Sequence, residues 1–157
     1  MDSFSEQLSG ILLNMYKNVI NLEENAKKNV NSRINLTINE IHFLEAVGAG
    51  CKKGCTVSRL ATMLGVSKPS VTVMVNKLEK KGYLKKLSSQ EDGRSVKVML
   101  THEGSMVNAY YKYFRRRMVR KINDGLNDGL TDQEKEFLVK AFEKIDIYFK
   151  ESLERIE

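Results

Sequence analysis

Ser67, Lys68, Pro69 and Ser70, followed by Thr72, Val73, Asn76, Lys77 and Lys80, are side chains of the kind that meet a nucleic acid duplex. Asn can bond the edge of adenine, Lys reaches guanine or phosphate, and the methyls of Thr72 and Val73 can meet the thymine methyl. At the start of a helix, the Ser67 and Ser70 hydroxyls, the Lys68 cation and open backbone N–H groups suit a phosphate. Turning residues 67–81 by 100° per step puts Val71, Met74, Val75 and Leu78 on one face, to pack on a preceding helix. The opposite face then carries Pro69, Thr72, Val73, Asn76 and Lys80, with Ser70 and Lys77 on its flank. An exposed Val73 has little purpose on a merely solvated face.

Other reactive residue types are sparse. Cys51 and Cys55 stand in CKKGC, a spacing that fits neither a redox C-x-x-C nor a complete metal site. Lys52 and Lys53 could lower a thiol pKa, so a thiol-based redox switch stands as an alternative to two spare thiols in a reducing compartment. Only His42 and His102 represent histidine. Glu24 is the carboxylate expected near His42, and two ligands are too few for a metal, so neither a metal nor a cofactor is expected. No Ser/His/acid arrangement, phosphate loop or metalloprotease motif is present, which argues against an enzyme.

These residues must be held by short elements, and the sequence marks them. Thr56 caps a helix over 57–64 whose Leu60, Ala61 and Leu64 face inward, and Gly65 ends it. Ser67 caps the next helix, with Pro69 in its first turn, running to about Lys81 before Gly82. Residues 83–87 and 95–100 read as two strands joined by SSQEDGR, with Val96, Val98 and Leu100 alternating against Ser95, Lys97 and Met99. This is a helix-turn-helix followed by a basic hairpin, or wing. Residues 51–100 hold eleven Lys and Arg against three Asp and Glu, a net +8, whereas the remainder holds fifteen against seventeen, a net −2. The chain's whole +6 therefore comes from this segment, and that asymmetry favours a polyanionic partner.

Long amphipathic helices flank it. Phe4, Leu8, Ile11, Leu12, Met15, Val19, Leu22 and Ala26 recur at three- and four-residue steps in a first helix, with Ser3 and Glu6 as a capping box. Thr37 and Glu40 open a second helix that stops at Gly48, and GAGCKKGC is then a loop. Thr101 caps a helix ended by the doubled turn NDGLNDGL, and Thr131 with Glu134 opens the last. The outer stripes are wider than one small core needs, so residues 1–36 and 101–157 are expected to dimerise around a DNA-binding domain at 37–100. No apolar run approaches the roughly 18 residues of a membrane span, and no signal peptide is apparent, so a cytoplasmic location is expected.

The stretches LATMLGVSKPSVTVMVNKLEKKGYL and EDGRSVKVMLTHEG, with Asp92-Gly93-Arg94 as a D-x-R and Thr101 to Gly104 as a T-x-x-G, resemble the MarR family over essentially the full chain. The fold so implied is mainly α with a small β-hairpin wing, a winged helix-turn-helix with N- and C-terminal dimerisation helices. The resemblance further implies a homodimeric bacterial regulator, expected to be a repressor of transcription, that binds double-stranded DNA. It implies that Asp92 pairs with a basic side chain and braces the wing. Arg94, long and permanently charged, is then free to enter a minor groove, with Gln90 beside it in the same loop. Two such heads predict a pseudo-palindromic operator of roughly 15 to 20 base pairs. Family members commonly answer to a small molecule held between the dimer helices and the DNA-binding lobe. The first helix and the run after the wing most resemble repressors of fatty-acid synthesis, which respond to acyl chains or acyl carrier protein. Leu12, Met15, Val19 and His42 are the expected pocket, although such a stripe also serves as plain core. A winged-helix module that binds an acidic protein is the remaining alternative.

Overall fold

In the computed structural model of the chain, described over residues 2–29, 35–50, 54–88 and 96–154, the elements follow the order α1 (Ser3–Asn29), α2 (Ile38–Gly50), β1 (Cys55–Thr56), α3 (Val57–Leu64), α4 (Lys68–Lys80), β2 (Leu84–Ser88), β3 (Val96–Leu100), α5 (His102–Asn127) and α6 (Asp132–Glu154). The chain divides into two compact units, residues 1–114 and 115–157. None of the described helices is long and apolar enough to cross a membrane.

The first unit is built on one core. Leu36, Ile41, Phe43, Leu44 and Val47 from α2 and its approach meet Leu60 and Ala61 of α3, Val71, Val75 and Leu78 of α4, Leu84, Val98, and Val107 and Tyr111 of α5. The inward face assigned to α4 is therefore the buried one, with Met74 half-buried beside it. The sheet has the order β1-β3-β2 and is antiparallel throughout. β1 is a strand where the sequence predicts loop: Cys55 pairs with Val98 and Thr56 with Lys97. Two residues are too few to show a period, so only the free edge of β3 calls this strand into being.

Capping chemistry sets most boundaries. The Thr37 N–H donates to Glu40 Oε2 at 2.8 Å and the Glu40 N–H to Thr37 Oγ1 at 3.3 Å, a complete reciprocal box. The same box recurs at Thr131 and Glu134. At α1 the cap is Asp2 instead of the predicted Ser3: the Ser5 N–H donates to Asp2 Oδ1 at 2.7 Å, and a carboxylate is the better acceptor at the positive helix end. Helix α2 continues through Gly48 to Gly50, and α5 passes through the first Asp-Gly of NDGLNDGL, turning only after Asn127. A single glycine costs an exposed helix about 1 kcal/mol, too little by itself to stop one.

At the root of the hairpin, the Thr101 hydroxyl donates to Gly82 O at 2.7 Å and accepts from the Gly104 N–H at 3.1 Å, tying the end of α4 to the start of α5. Gly104 lies so close to the Tyr83 carbonyl that a Cβ would sit 2.1 Å from its oxygen. The predicted alternation on β3 holds only in part. Val98 is buried and Leu100 half-buried, but Val96 is exposed, out beyond the cover that α2 and α3 provide at the sheet's base.

Burial, reinforced by Tyr110 and by Glu23, Glu24 and Glu45, pushes the Tyr111 phenol up to about 12. Its hydroxyl is buried without a hydrogen-bond partner among the described residues.

Candidate nucleic-acid interface

The turn that aims α4 is capped at each end. The Arg59 N–H donates to Thr56 Oγ1 at 3.3 Å to start α3, and Gly65 at φ 63° closes it with its N–H turned back to Thr62 O. That left-handed conformation suits glycine, which has no Cβ to clash. Ser67 Oγ then accepts from the Ser70 N–H at 3.3 Å and lies 2.8 Å from Ser70 Oγ. Pro69 falls in the first turn, where its missing N–H costs nothing.

The face predicted to read a groove stands out from the core as one surface. Ser67, Lys68, Pro69, Ser70, Thr72, Val73, Asn76, Lys77 and Lys80 are all exposed. Val73 is 67% exposed, a large fraction for a branched apolar side chain on a helix with a well-formed core face. The Thr72 hydroxyl donates to Lys68 O at 3.0 Å, which leaves its methyl as the group free to make apolar contact.

The cations divide into two sets. Glu40 is fully buried, and Lys81 Nζ lies 2.9 Å from both of its carboxylate oxygens while also donating to Asn35 O at 2.7 Å. Lys77 Nζ is 3.1 Å from Glu40 Oε1. Burial alone would push the Glu40 carboxyl up, yet hydrogen bonds from Lys81, the Thr37 N–H and Lys77, with the Lys81 charge, hold it below the usual carboxylate value. Lys77, read from the sequence as a groove contact, is thus half committed to bracing α4 on α2. Lys86 of β2 bonds Asn76 Oδ1 at 2.7 Å and Glu79 Oε2 at 2.6 Å. By contrast, Arg59, Lys68, Lys80 and Lys85 make no ion pair among the described residues and stand open to an external anion.

Sequence reasoning missed both networks. Helix periodicity relates residues three and four apart on one element, whereas Glu40–Lys81 and Asn76–Lys86 join residues 41 and 10 apart on different elements. Only the burial of Glu40 on α2's core-facing side hints at the first.

Gln90, Asp92 and Arg94, predicted for the wing tip, lie outside the described residues, as does Cys51. Cys55 is 1% exposed on β1, with Gly50 packed so closely that a Cβ there would sit 2.7 Å from its Sγ. A thiol so enclosed is poorly placed for exchange with a solvent oxidant.

The predicted effector pocket is not assembled as one site. His42 bonds Glu23 Oε1, not Glu24, at 3.1 Å. It lines a cavity of about 320 Å³ together with Asn39, Phe43, Leu64, Val66, Ser70, Val71 and Met74. Leu12, Met15 and Val19 do not line that cavity: Met15 and Val19 are exposed on α1 and Leu12 is half-buried. The stripe lies N-terminal to the part of α1 that meets its neighbours, where Glu23 bonds His42 of α2 and the Ala26 carbonyl accepts from the Tyr110 hydroxyl of α5 at 3.4 Å. Among the described residues no three His, Cys, Asp or Glu side chains are placed to hold a metal ion.

Comparison with known proteins bears on this geometry. A family model described as "MarR family" matches residues 34–95. YhjH of Bacillus subtilis, an uncharacterized HTH-type transcriptional regulator, is 25% identical over 126 residues, covering 80% of this chain and 70% of its own. Streptococcus pneumoniae FabT, solved in complex with DNA, superposes with a TM-score of 0.78 at 26% identity, over 94% of this chain and 98% of its own. Lactococcus lactis ZitR, a zinc-responsive MarR family member, gives a TM-score of 0.64 at 21% identity, over 90% and 99% of the two chains.

Proposed function

We propose that this chain is a MarR-family DNA-binding transcriptional regulator, acting as a homodimeric repressor on a pseudo-palindromic operator; the family match over residues 34–95 and the likeness to FabT support the reading. The single observation that carries the reading is the face of α4. Val73, Thr72, Asn76 and Lys80 project from a helix capped at Ser67 and held on its core side by Val71, Val75 and Leu78. The likeness to FabT bound to DNA supports the same use of the helix. Lys68 and the capped start of α4 position phosphate, Thr72, Val73 and Asn76 read base edges, and Arg94 of the wing enters the adjacent minor groove.

A second copy is the natural cover for the outer helices. In the first unit α1 exposes Phe4, Ile11, Leu13, Tyr16 and Ile20, and in the second α6 exposes Phe137, Phe142, Tyr148 and Phe149. Apolar surface on this scale is a mark of an interaction site. Domain boundaries at 36/37 and 100/101 go with this reading, as do a cytoplasmic site of action and a lack of enzymatic activity.

Modulation enters through the cavity lined by His42. An amphipathic ligand there would lie against Ser70, Val71 and Met74, and so bear directly on the first turns of α4. An acyl chain is the ligand class that the resemblance to fatty-acid-synthesis repressors suggests. Mass spectrometry of lipids released from purified protein tests it, and the absence of both a copurifying acyl species and an acyl effect on DNA binding retires it. Selection of bound DNA from a random pool, followed by footprinting, tests the main reading. Two protected half-sites about one helical turn apart are expected. A protein that is monomeric and indifferent to every duplex at moderate salt refutes it.

A further inference from the structure

Asn76 is the one amide side chain on the exposed face of α4, and its orientation is constrained by a residue from another element. We infer that Lys86 is a positioning residue that sets base preference: it holds the Asn76 amide with its oxygen committed, so that the helix offers donors to an acceptor-only base edge, guanine, instead of the paired donor and acceptor that adenine requires. The inference rests on the reading of α4 as a groove-reading helix.

The chemistry leaves little freedom. A lysine ammonium carries three donors and no acceptor, so the amide atom 2.7 Å from Lys86 Nζ must be the oxygen. The second donor of the same ammonium is taken by Glu79 Oε2 at 2.6 Å, and that carboxylate anchors the cation where Asn76 can reach it. Asn76 and Glu79 stand three residues apart on α4, on one flank of the helix, and Lys86 comes up from β2 to bridge them. The anchor itself is held: Lys86 faces Val98 across the ladder to β3, and Val98 is fully buried.

Bidentate recognition of adenine uses Asn Oδ1 to accept from the N6 amino group and Nδ2 to donate to N7. With the ammonium already on Oδ1, the adenine amino group would bring a second donor to the same oxygen, beside a positive charge. Oδ1 keeps a second lone pair, but it lies beside the ammonium, whereas the Asn76 Nδ2 hydrogens and the third hydrogen of Lys86 are free donors. Guanine presents N7 and O6, both acceptors, and is the edge that matches this set. Asn76 taken from the sequence alone reads as an adenine contact. Lys86, ten residues away and in a strand, reverses that expectation.

The test is selection of bound DNA from a random pool by the full-length protein and by three variants. Asn76→Ala identifies the operator column that Asn76 reads, as the one that loses information. Wild type should prefer guanine there. Lys86→Met keeps the side chain's length and removes its donors, so the amide can turn. Adenine should then rise against guanine by on the order of tenfold at that column, the lower part of the range for one bidentate contact, with the other columns unchanged. Lys86→Arg, also a pure donor, should restore the wild-type column, which a merely structural loss would not do. A wild-type column that is already adenine, or one identical in wild type and Lys86→Met, overturns the inference while leaving the DNA-binding reading intact. No enriched motif from wild type overturns that reading, and this inference with it.

Discussion

Glu40 offers the sharpest test of how α4 is held. Its carboxylate has two tasks, closing the capping box of α2 and meeting Lys81 and Lys77 of the neighbouring helix end, and Glu40→Gln separates them. A glutamine can still accept from the Thr37 N–H, so the cap survives and only the charge is lost. A charge-assisted hydrogen bond contributes about 1 kcal/mol more than a neutral one. Lys81, 26% exposed, keeps most of that difference, while Lys77, 54% exposed, loses much of it to solvent screening. The expected cost is about 1 to 2 kcal/mol. Glu40→Ala also removes the cap and leaves the Lys81 ammonium without its carboxylate, so about 3 kcal/mol is expected. Urea unfolding of both variants and wild type measures these values. The pH dependence supplies a second check. Because the folded carboxyl titrates below its ordinary value of 4.5, its contribution is present above that value and is lost as pH falls through the folded pKa. The gap between wild type and Glu40→Gln should therefore be full near neutral pH and shrink as pH falls below the ordinary value of 4.5 toward the lower folded pKa. A Glu40→Gln protein as stable as wild type at neutral pH, or a gap that does not change with pH, refutes the reasoning.

Other outcomes follow from single contacts. Lys80→Ala should weaken operator binding and reduce the slope of log affinity against log salt by about 1, and Lys77→Ala by less, since Glu40 already neutralises part of its charge; a mobility-shift titration across salt measures both. Arg94→Ala should likewise weaken binding and flatten the salt dependence, and unchanged binding would remove the wing from the mechanism. Val73→Asp should leave urea stability within about 0.5 kcal/mol, because the side chain is exposed, and abolish specific DNA retention through repulsion from phosphate. Gly104→Ala places a methyl 2.1 Å from the Tyr83 carbonyl oxygen and should cost about 1 to 3 kcal/mol in unfolding measurements. Tyr111→Phe removes a buried hydroxyl that has no hydrogen-bond partner among the described residues, so stability should hold or rise by about 1 kcal/mol.

The local signals in the sequence determined a great deal. Thr37 with Glu40, Thr56, Ser67, Thr101 and Thr131 with Glu134 each mark a helix start that the structure keeps, because a cap is a bond between residues two or three apart and needs no distant partner. The two faces of α4 were legible for the same reason, since helical period fixes which side chains share a side. Signals that rely on neighbours in space were not. β1 exists because β3 offers it an edge, and Gly48 and the first Asp-Gly of NDGLNDGL fail to stop their helices because the local cost of one glycine is small. His42 finds Glu23 and a cavity beside α4 rather than the apolar stripe of α1. Glu40 meets Lys81, and Lys86 takes hold of Asn76, through contacts across elements. The sequence alone could name the side chains that share the exposed face of α4. Only the tertiary structure decided which of their charges were already answered and which way one amide was turned, because charge pairing and hydrogen bonding act over a few ångströms of space whatever the distance along the chain.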